Sequence, residues 1–348
     1  MRKSFIIGML AAAVLCVFAG AVLAAPVTLT YSVFFPPTHP QAQAAVEWAK
    51  EIEKGTNGEI KIEVVAGGTL TKAPEVYKGV VDGISDLGMS CFAYTAGQFP
   101  VMSALDLPMG YPNGMVASKV ADAFARQASP SELSGVKVLY IHAHGPGLLH
   151  TQKPVARLED LAKMKIRATG FSAKVAAALG AVPVAMSQGE AYEALKSGVV
   201  EGTFTPIETL KGWKQAEVIK STTNCKGVGY TTAMFVVMNK AKWDALSPAA
   251  QKVFTDVSAK WVAVHGAAWD KADEDGKKFT LEKGNKIIEL SPAENARWKK
   301  AVEPVISAYQ TDTQSGKLYV NQIRSLIKKF SAPAKPAKAP AKAAAKKK

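Results

Sequence analysis

Ser247 and Pro248 open the most constraining stretch of this chain, a serine suited to cap a helix followed by a proline suited to its first position. Val253, Phe254, Val257, Trp261, Val264 and Ala268 follow at spacings of three and four, and the pattern persists towards Gly284. At 1.5 Å per residue such a helix is about 50 Å long. That exceeds the width of one small domain, so the helix is expected to bridge two, and 348 residues suffice for both.

The rest of the chain alternates strand and helix patterns, which predicts an α/β fold with largely parallel sheets. Val27 to Val33 alternates as a strand. Phe34, Phe35, Pro36-Pro37 and His39 then fall at its carboxyl end, where open α/β sheets hold ligands. Gln41 to Lys54 reads as a helix, Glu59 to Val65 as a strand, Pro74 to Val81 as a helix and Asp86 to Met89 as a short buried strand. Cys91, Phe92 and Tyr94 lie just past that strand. Lys137 to His142 is a further strand, leading into His144-Gly145-Pro146-Gly147. A second series runs through Leu148 to Gln152, Lys165 to Ala168, Pro183 to Ala185 and Glu201 to Thr205. Gly229 to Asn239 reads as one continuous buried strand, and Ser291-Pro292 opens a last helix carrying Trp298, Val302 and Ile306. No solenoid-length repeat is visible.

The ends of the chain are of a different kind. Arg2 and Lys3, an apolar run from Phe5 to Gly20 and Val22-Leu23-Ala24 make a secretory signal peptide over 1–24, too short for a lasting membrane span. Leu15 stands before Cys16 where a lipid-anchor signal would want a small residue. Cys91 and Cys225 remain after cleavage and are read as free thiols. The formal charge of +14 is concentrated outside the body: two cations in the leader and six lysines in 331–348 leave +6. That Pro/Ala/Lys tail cannot bury a core and is expected to be disordered, a solvated spacer rather than a nucleic-acid-binding arm, since no aromatic residue interrupts it.

Catalytic motifs are absent: no Gly-x-Ser-x-Gly elbow, no phosphate-binding loop and no Gly-x-Gly-x-x-Gly after a strand. His142 and His144 would share a strand face as a possible metal pair, but His150 is the one nearby third ligand, so surface or ligand-facing histidines are the reading and no metal is assigned. A binding site accounts better for Lys165 to Pro206. Arg167 ends a short apolar strand, and a guanidinium meets a carboxylate through two parallel hydrogen bonds. Pattern alone equally allows a surface arginine paired with Glu159 or Asp160. Thr205 offers a hydroxyl and Phe204 an aromatic wall, as a small-molecule site requires, although core packing also explains Phe204, Phe35, Phe92 and Tyr94. His39, His144 and Met186 complete the candidate ligand-binding set.

Four stretches carry a family resemblance. They are TNGEIKIEV (56–64) followed by GGTL (67–70), LEDLAKMKIR (158–167), GEAYEALKSGVVEG (189–202) and MNKAKWDALS (238–247). In order and spacing, over about residues 27 to 330, the chain resembles the DctP-like periplasmic solute-binding proteins of TRAP transporters. The resemblance implies a two-lobed periplasmic-binding-protein-like fold spanned by the long helix. Lobe I would take 25–143 plus 229–270, lobe II 144–228 plus 285–330, and 271–284 the end of the spanning helix. It also implies that Arg167 grips a ligand carboxylate with two prongs. Thr205 stands where that family usually has asparagine, Phe204 where it has glutamate, and Gly147 where its sialic-acid-binding branch has a further arginine. A pocket of Phe35, Phe92, Tyr94 and Phe204 would suit a small or apolar organic anion. The expected protein is a periplasmic monomer without cofactor or enzymatic activity, handing its ligand to TRAP membrane permease subunits. A ligand sensor on the same scaffold, or a hydrolase or lyase using His144 or His150, are the alternatives.

Overall fold

The computed structural model describes residues 26–332. The leader read at 1–24 and residues 333–348 of the tail lie outside them. Strand β1 (Val27–Val33) buries Tyr31 and Val33, and helix α1 (Pro40–Gly55) returns the chain to β2 (Ile60–Ala66). Helix α2 (Val76–Val81) leads into β3 (Leu87–Cys91), and α3 (Gly114–Ala128) into β4 (Val136–Ala143). The chain then builds a second unit from β5 (Leu148–Thr151), β6 (Lys165–Ala168), α4 (Gly170–Ala178), β7 (Val182–Ala185), α5 (Gln188–Lys196), β8 (Gly202–Thr205), the short α6 (Thr209–Gly212) and β9 (Ser221–Asn224). It returns to the first unit as β10 (Ala233–Asn239), followed by α7 (Lys240–Asp244) and α8 (Pro248–Glu282). Strand β11 (Lys286–Glu289), α9 (Pro292–Asp312) and α10 (Gly316–Ser331) complete the fold.

These elements form two α/β lobes, one sheet in each. The first sheet runs β2-β1-β3-β10-β4 and the second β11-β9-β5-β8-β6-β7. Both are mixed rather than largely parallel. Strands β1, β2 and β3 are parallel, but β10 lies antiparallel between β3 and β4, and β5 lies antiparallel to β8 and β9. The reason is connectivity: β10 enters its sheet from the other lobe rather than through a helical crossover on its own sheet, and only the latter route enforces parallel pairing. Strand β10 is also shorter than its apolar run. Gly229 takes a φ of +52° and its carbonyl accepts the N–H groups of Gly110 and Tyr111, so Gly229 to Thr232 is a crossing segment, not strand.

Helix α8 has 35 residues and touches both lobes, the first through α1, α3 and β4 and the second through α6 and β11. Ser247 caps it through Ala250 N–H as its sequence indicated. The buried stripe runs through Phe254, Ser258, Trp261, His265, Trp269, Ala272, Gly276 and Thr280, whereas Val264 is 39 % exposed. Apolarity therefore gave the wrong phase for its second half, because the inward residues there are histidine, tryptophan and glycine. Glycine is required where backbones meet. A Cβ at Gly266 would stand 2.9 Å from the Met115 Cα, and one at Gly276 would stand 2.4 Å from the Ile207 carbonyl oxygen.

Residues 285–330 do not belong wholly to the second lobe. Trp298 and Val302 join its core, but Val305, Tyr309, Val320, Ile323 and Leu326 pack into the first lobe's. Helix α10 is a helix beyond the one opened by Ser291-Pro292, and it lies against α3. No helix among the described residues is long and apolar enough to cross a membrane.

Candidate functional site

Arg167 sits in β6, flanked in register by Thr203 of β8 and Val184 of β7. The strand turns Ile166 into the core beneath it, yet the arginine itself is only 3 % exposed. Its Nε and Nη2 donate to the Met186 carbonyl at 3.1 and 2.9 Å, which fixes the plane of the guanidinium. Neither acidic neighbour named from the sequence reaches it: Glu159 pairs with Arg297, and Asp160 with Arg157. Among the described residues Arg167 forms no ion pair. A guanidinium has five N–H groups, so the end-on pair of Nη1 and Nη2 hydrogens remains for two oxygens of one carboxylate.

The lobes close over a small cavity beside this arginine, with about 40 Å³ open to the centres of water-sized atoms. That is room for a few waters. Its walls include Phe34, Tyr94, Phe204, Tyr230 and Trp269, and its polar groups include Thr169, Gln188, Thr205, Glu208 and His144. Thr169 and Gln188 stand at the amino ends of α4 and α5, whose partial positive charge favours an anion there. Tyr94 crosses between lobes to accept the Gln188 N–H at 3.2 Å.

Several sequence candidates converge here and others lie behind the wall. Arg167, Tyr94, His144, Phe204 and Thr205 line the cavity, and Met186 acts through its carbonyl. Phe204 is also part of the second lobe's core, edge-on to Tyr230. Phe35 is not on the lining; Phe34 takes that position, while Phe35 stacks on His39 and meets Trp269 edge-on. Phe92 packs in the first lobe's core against Phe99 and Phe235. His39 is off the lining too. Its Nδ1 caps α1 by accepting Gln41 N–H, and its Nε2 donates to Glu208 at 2.9 Å, joining the two lobes. Glu208, Gln188, Tyr230 and Trp269 were not picked from the sequence. The one signal for Glu208 was a lone carboxylate in TPIETL, two residues after Pro206.

The three histidines weighed as metal ligands take separate partners. His142 stacks on His265 with ring centroids 4.0 Å apart and accepts from Trp269 Nε1. His150 lies between the Thr222 hydroxyl and the Thr205 carbonyl. Among the described residues no group of three or more histidine, cysteine or acidic side chains could hold a metal. Burial pushes His144 down to about 4, helped by the charge on Arg167, so its imidazole is uncharged near neutrality. Cys91 and Cys225 are both free and buried. Burial drives both thiols up, Cys225 to about 12, which leaves neither a nucleophile.

Gly147 faces Tyr230 so closely that a Cβ there would stand 2.0 Å from its ring. A tyrosine ring thus fills the space beside the position where the resemblance places the further arginine of the sialic-acid-binding branch.

Residues 31–312 match the family model for bacterial extracellular solute-binding proteins, family 7. The C4-dicarboxylate-binding periplasmic protein DctP of Rhodobacter capsulatus is 27 % identical, covering 81 % of this chain and 86 % of that protein. A marine metagenome TRAP solute-binding protein specific for aromatic acid ligands, solved with 3-hydroxybenzoate, superposes with a TM-score of 0.85 at 29 % identity, covering 89 % of this chain and 100 % of its own. A TRAP solute-binding protein of Rhodoferax ferrireducens, solved with copurified benzoate, gives 0.84 at 27 % identity, covering 88 % and 98 %.

Proposed function

Because this chain belongs to the bacterial extracellular solute-binding proteins of family 7, we propose that it is the periplasmic receptor of a TRAP transporter for small aromatic monocarboxylates. The observation that carries this reading is Arg167, buried and without an ion pair among the described residues, in a narrow aromatic-walled cavity. A buried cation with no counter-charge is costly, and a carboxylate that enters with the right spacing removes that cost.

Charge and the chemistry of the lining narrow the ligand; at about 40 Å³ the cavity holds only a few waters, so the lobes part to admit a ring. Among the described residues Arg167 is the one cation on the cavity wall, and Glu208 on the same wall is acidic. A dicarboxylate would bring a second charge with no partner and a carboxylate beside it. Flat rings suit Phe34, Tyr94, Tyr230 and Trp269, and an aromatic acid is what the relatives at 29 % and 27 % identity hold. The residues 1–24 direct export, the two lobes close on the acid, and the closed form passes it to membrane permease subunits. No turnover is expected of a receptor of this family, and among the described residues no hydrogen bond on the cavity wall joins a nucleophile to a base.

Titration calorimetry tests the reading. Benzoate or a hydroxybenzoate is expected to bind one-to-one at least about tenfold more tightly than succinate, because the second carboxylate of succinate is left unpaired in a low-dielectric site. Succinate binding as tightly as every aromatic acid would overturn it.

A further inference from the structure

At two side chains on the cavity wall, His144 and Thr205, the hydrogens are already committed in a way that leaves acceptors facing the ligand. His144 Nδ1 lies against the Gly145 carbonyl oxygen. A carbonyl only accepts, so Nδ1 carries the hydrogen, and in the uncharged ring Nε2 is left as an acceptor. That Nε2 makes no hydrogen bond among the described residues, and His144 lines the cavity while being only 4 % exposed. The ring does not swing freely, because Nδ1 is held at the Gly145 carbonyl and Tyr230 and Trp269 pack against it edge-on.

Thr205 is bound by the same logic. Thr209 donates its single hydroxyl hydrogen to the Pro206 carbonyl at 2.9 Å. The 2.9 Å contact between the two threonine hydroxyls therefore requires Thr205 to be the donor. Its hydrogen is spent on Thr209, and what Thr205 shows the cavity is lone pairs. Donors face the cavity at Arg167 and at Gln188, whose buried Nε2 has no partner among the described residues, and acceptors face it at His144 and Thr205.

We propose that the ligand of this site is a hydroxylated aromatic acid, whose carboxylate meets Arg167 and whose hydroxyl donates to His144 Nε2 or Thr205 Oγ1. The inference rests on the aromatic-acid reading above and adds a specificity-determining role for His144. An acid without a hydroxyl leaves buried acceptors without a donor, and sites built around a hydroxyl discriminate strongly against analogues that lack it.

The test compares benzoate with 2-, 3- and 4-hydroxybenzoate by titration calorimetry on the wild-type protein, then repeats the pair with His144→Phe. The best hydroxybenzoate is expected to bind at least about tenfold more tightly than benzoate. In the variant that ratio is expected to fall towards one. Benzoate binding wild type as tightly as every isomer overturns the inference while leaving the aromatic-acid reading intact, and a ratio unchanged in His144→Phe overturns the role of His144. Failure of all four acids to bind the wild type would sink the aromatic-acid reading and this inference with it.

Discussion

Arg167→Ala is expected to weaken aromatic-acid binding by about 2–5 kcal/mol, roughly thirtyfold to several thousandfold in Kd. Loss of a charge-assisted, two-pronged contact in a closed cavity accounts for that size, since the guanidinium is presented end-on by its bonds to Met186. Its effect on the ligand-free protein runs the other way. Burying a lone cation costs free energy that alanine does not incur, so the variant without ligand should be no less stable than wild type beyond about 1 kcal/mol for the lost bonds to Met186. Calorimetry and thermal melts of ligand-free protein measure the two effects separately. Arg167→Lys should fall between, because an ammonium keeps the charge but cannot hold Met186 and both carboxylate oxygens in one plane. An arginine of purely structural importance would show the reverse: a large fall in melting temperature and little change in affinity.

Gly276→Ala is expected to destabilise the protein by about 1–3 kcal/mol and to weaken ligand binding as well. An added Cβ would stand 2.4 Å from the Ile207 carbonyl oxygen and 2.8 Å from the Glu208 Cα. Both are backbone atoms, so α8 or the Pro206–Thr209 segment must move. That segment carries Pro206, Glu208 and Thr209 to the cavity wall, which is how a helix glycine comes to bear on affinity. Gly189→Ala is the control. Gly189 is exposed, and a Cβ added there would stand 4.0 Å from Ser187 Oγ, the nearest atom it would meet. Alanine there should be neutral or stabilising by up to about 1 kcal/mol, through helix propensity alone. Equal melting temperatures for wild type and Gly276→Ala would refute the tight seating of the long helix.

The long helix was legible because its signals are local. Ser247 and Pro248 mark its start and Gly284, with a φ of +76°, lies just past its end. Strand alternation likewise placed β1 and β2 to within about a residue. What the sequence hid is what depends on partners far along the chain. The mixing of the first sheet follows from β10 returning from the other lobe, which no strand pattern encodes. Helix α3 went unread because alanine, serine and glycine make up much of its buried face, Ala117, Ser118 and Ala121 among them. Which of Phe34 and Phe35 lines the cavity turns on the twist at the end of one strand, and it is Phe34. Glu208 and His39 are 169 residues apart, and only the folded chain brings them together. The same holds for Thr205: its hydroxyl was visible in sequence, but the direction of its hydrogen is set by Thr209 and Pro206.

The most direct measurement is mass spectrometry of the small molecule released by denaturing protein purified from its native source without added acids. A monocarboxylic acid built on a single aromatic ring, present in near one-to-one ratio and lost in Arg167→Ala, is the predicted result. A dicarboxylate or a sugar acid retained at the same ratio, or an acid retained equally by Arg167→Ala, would contradict the account.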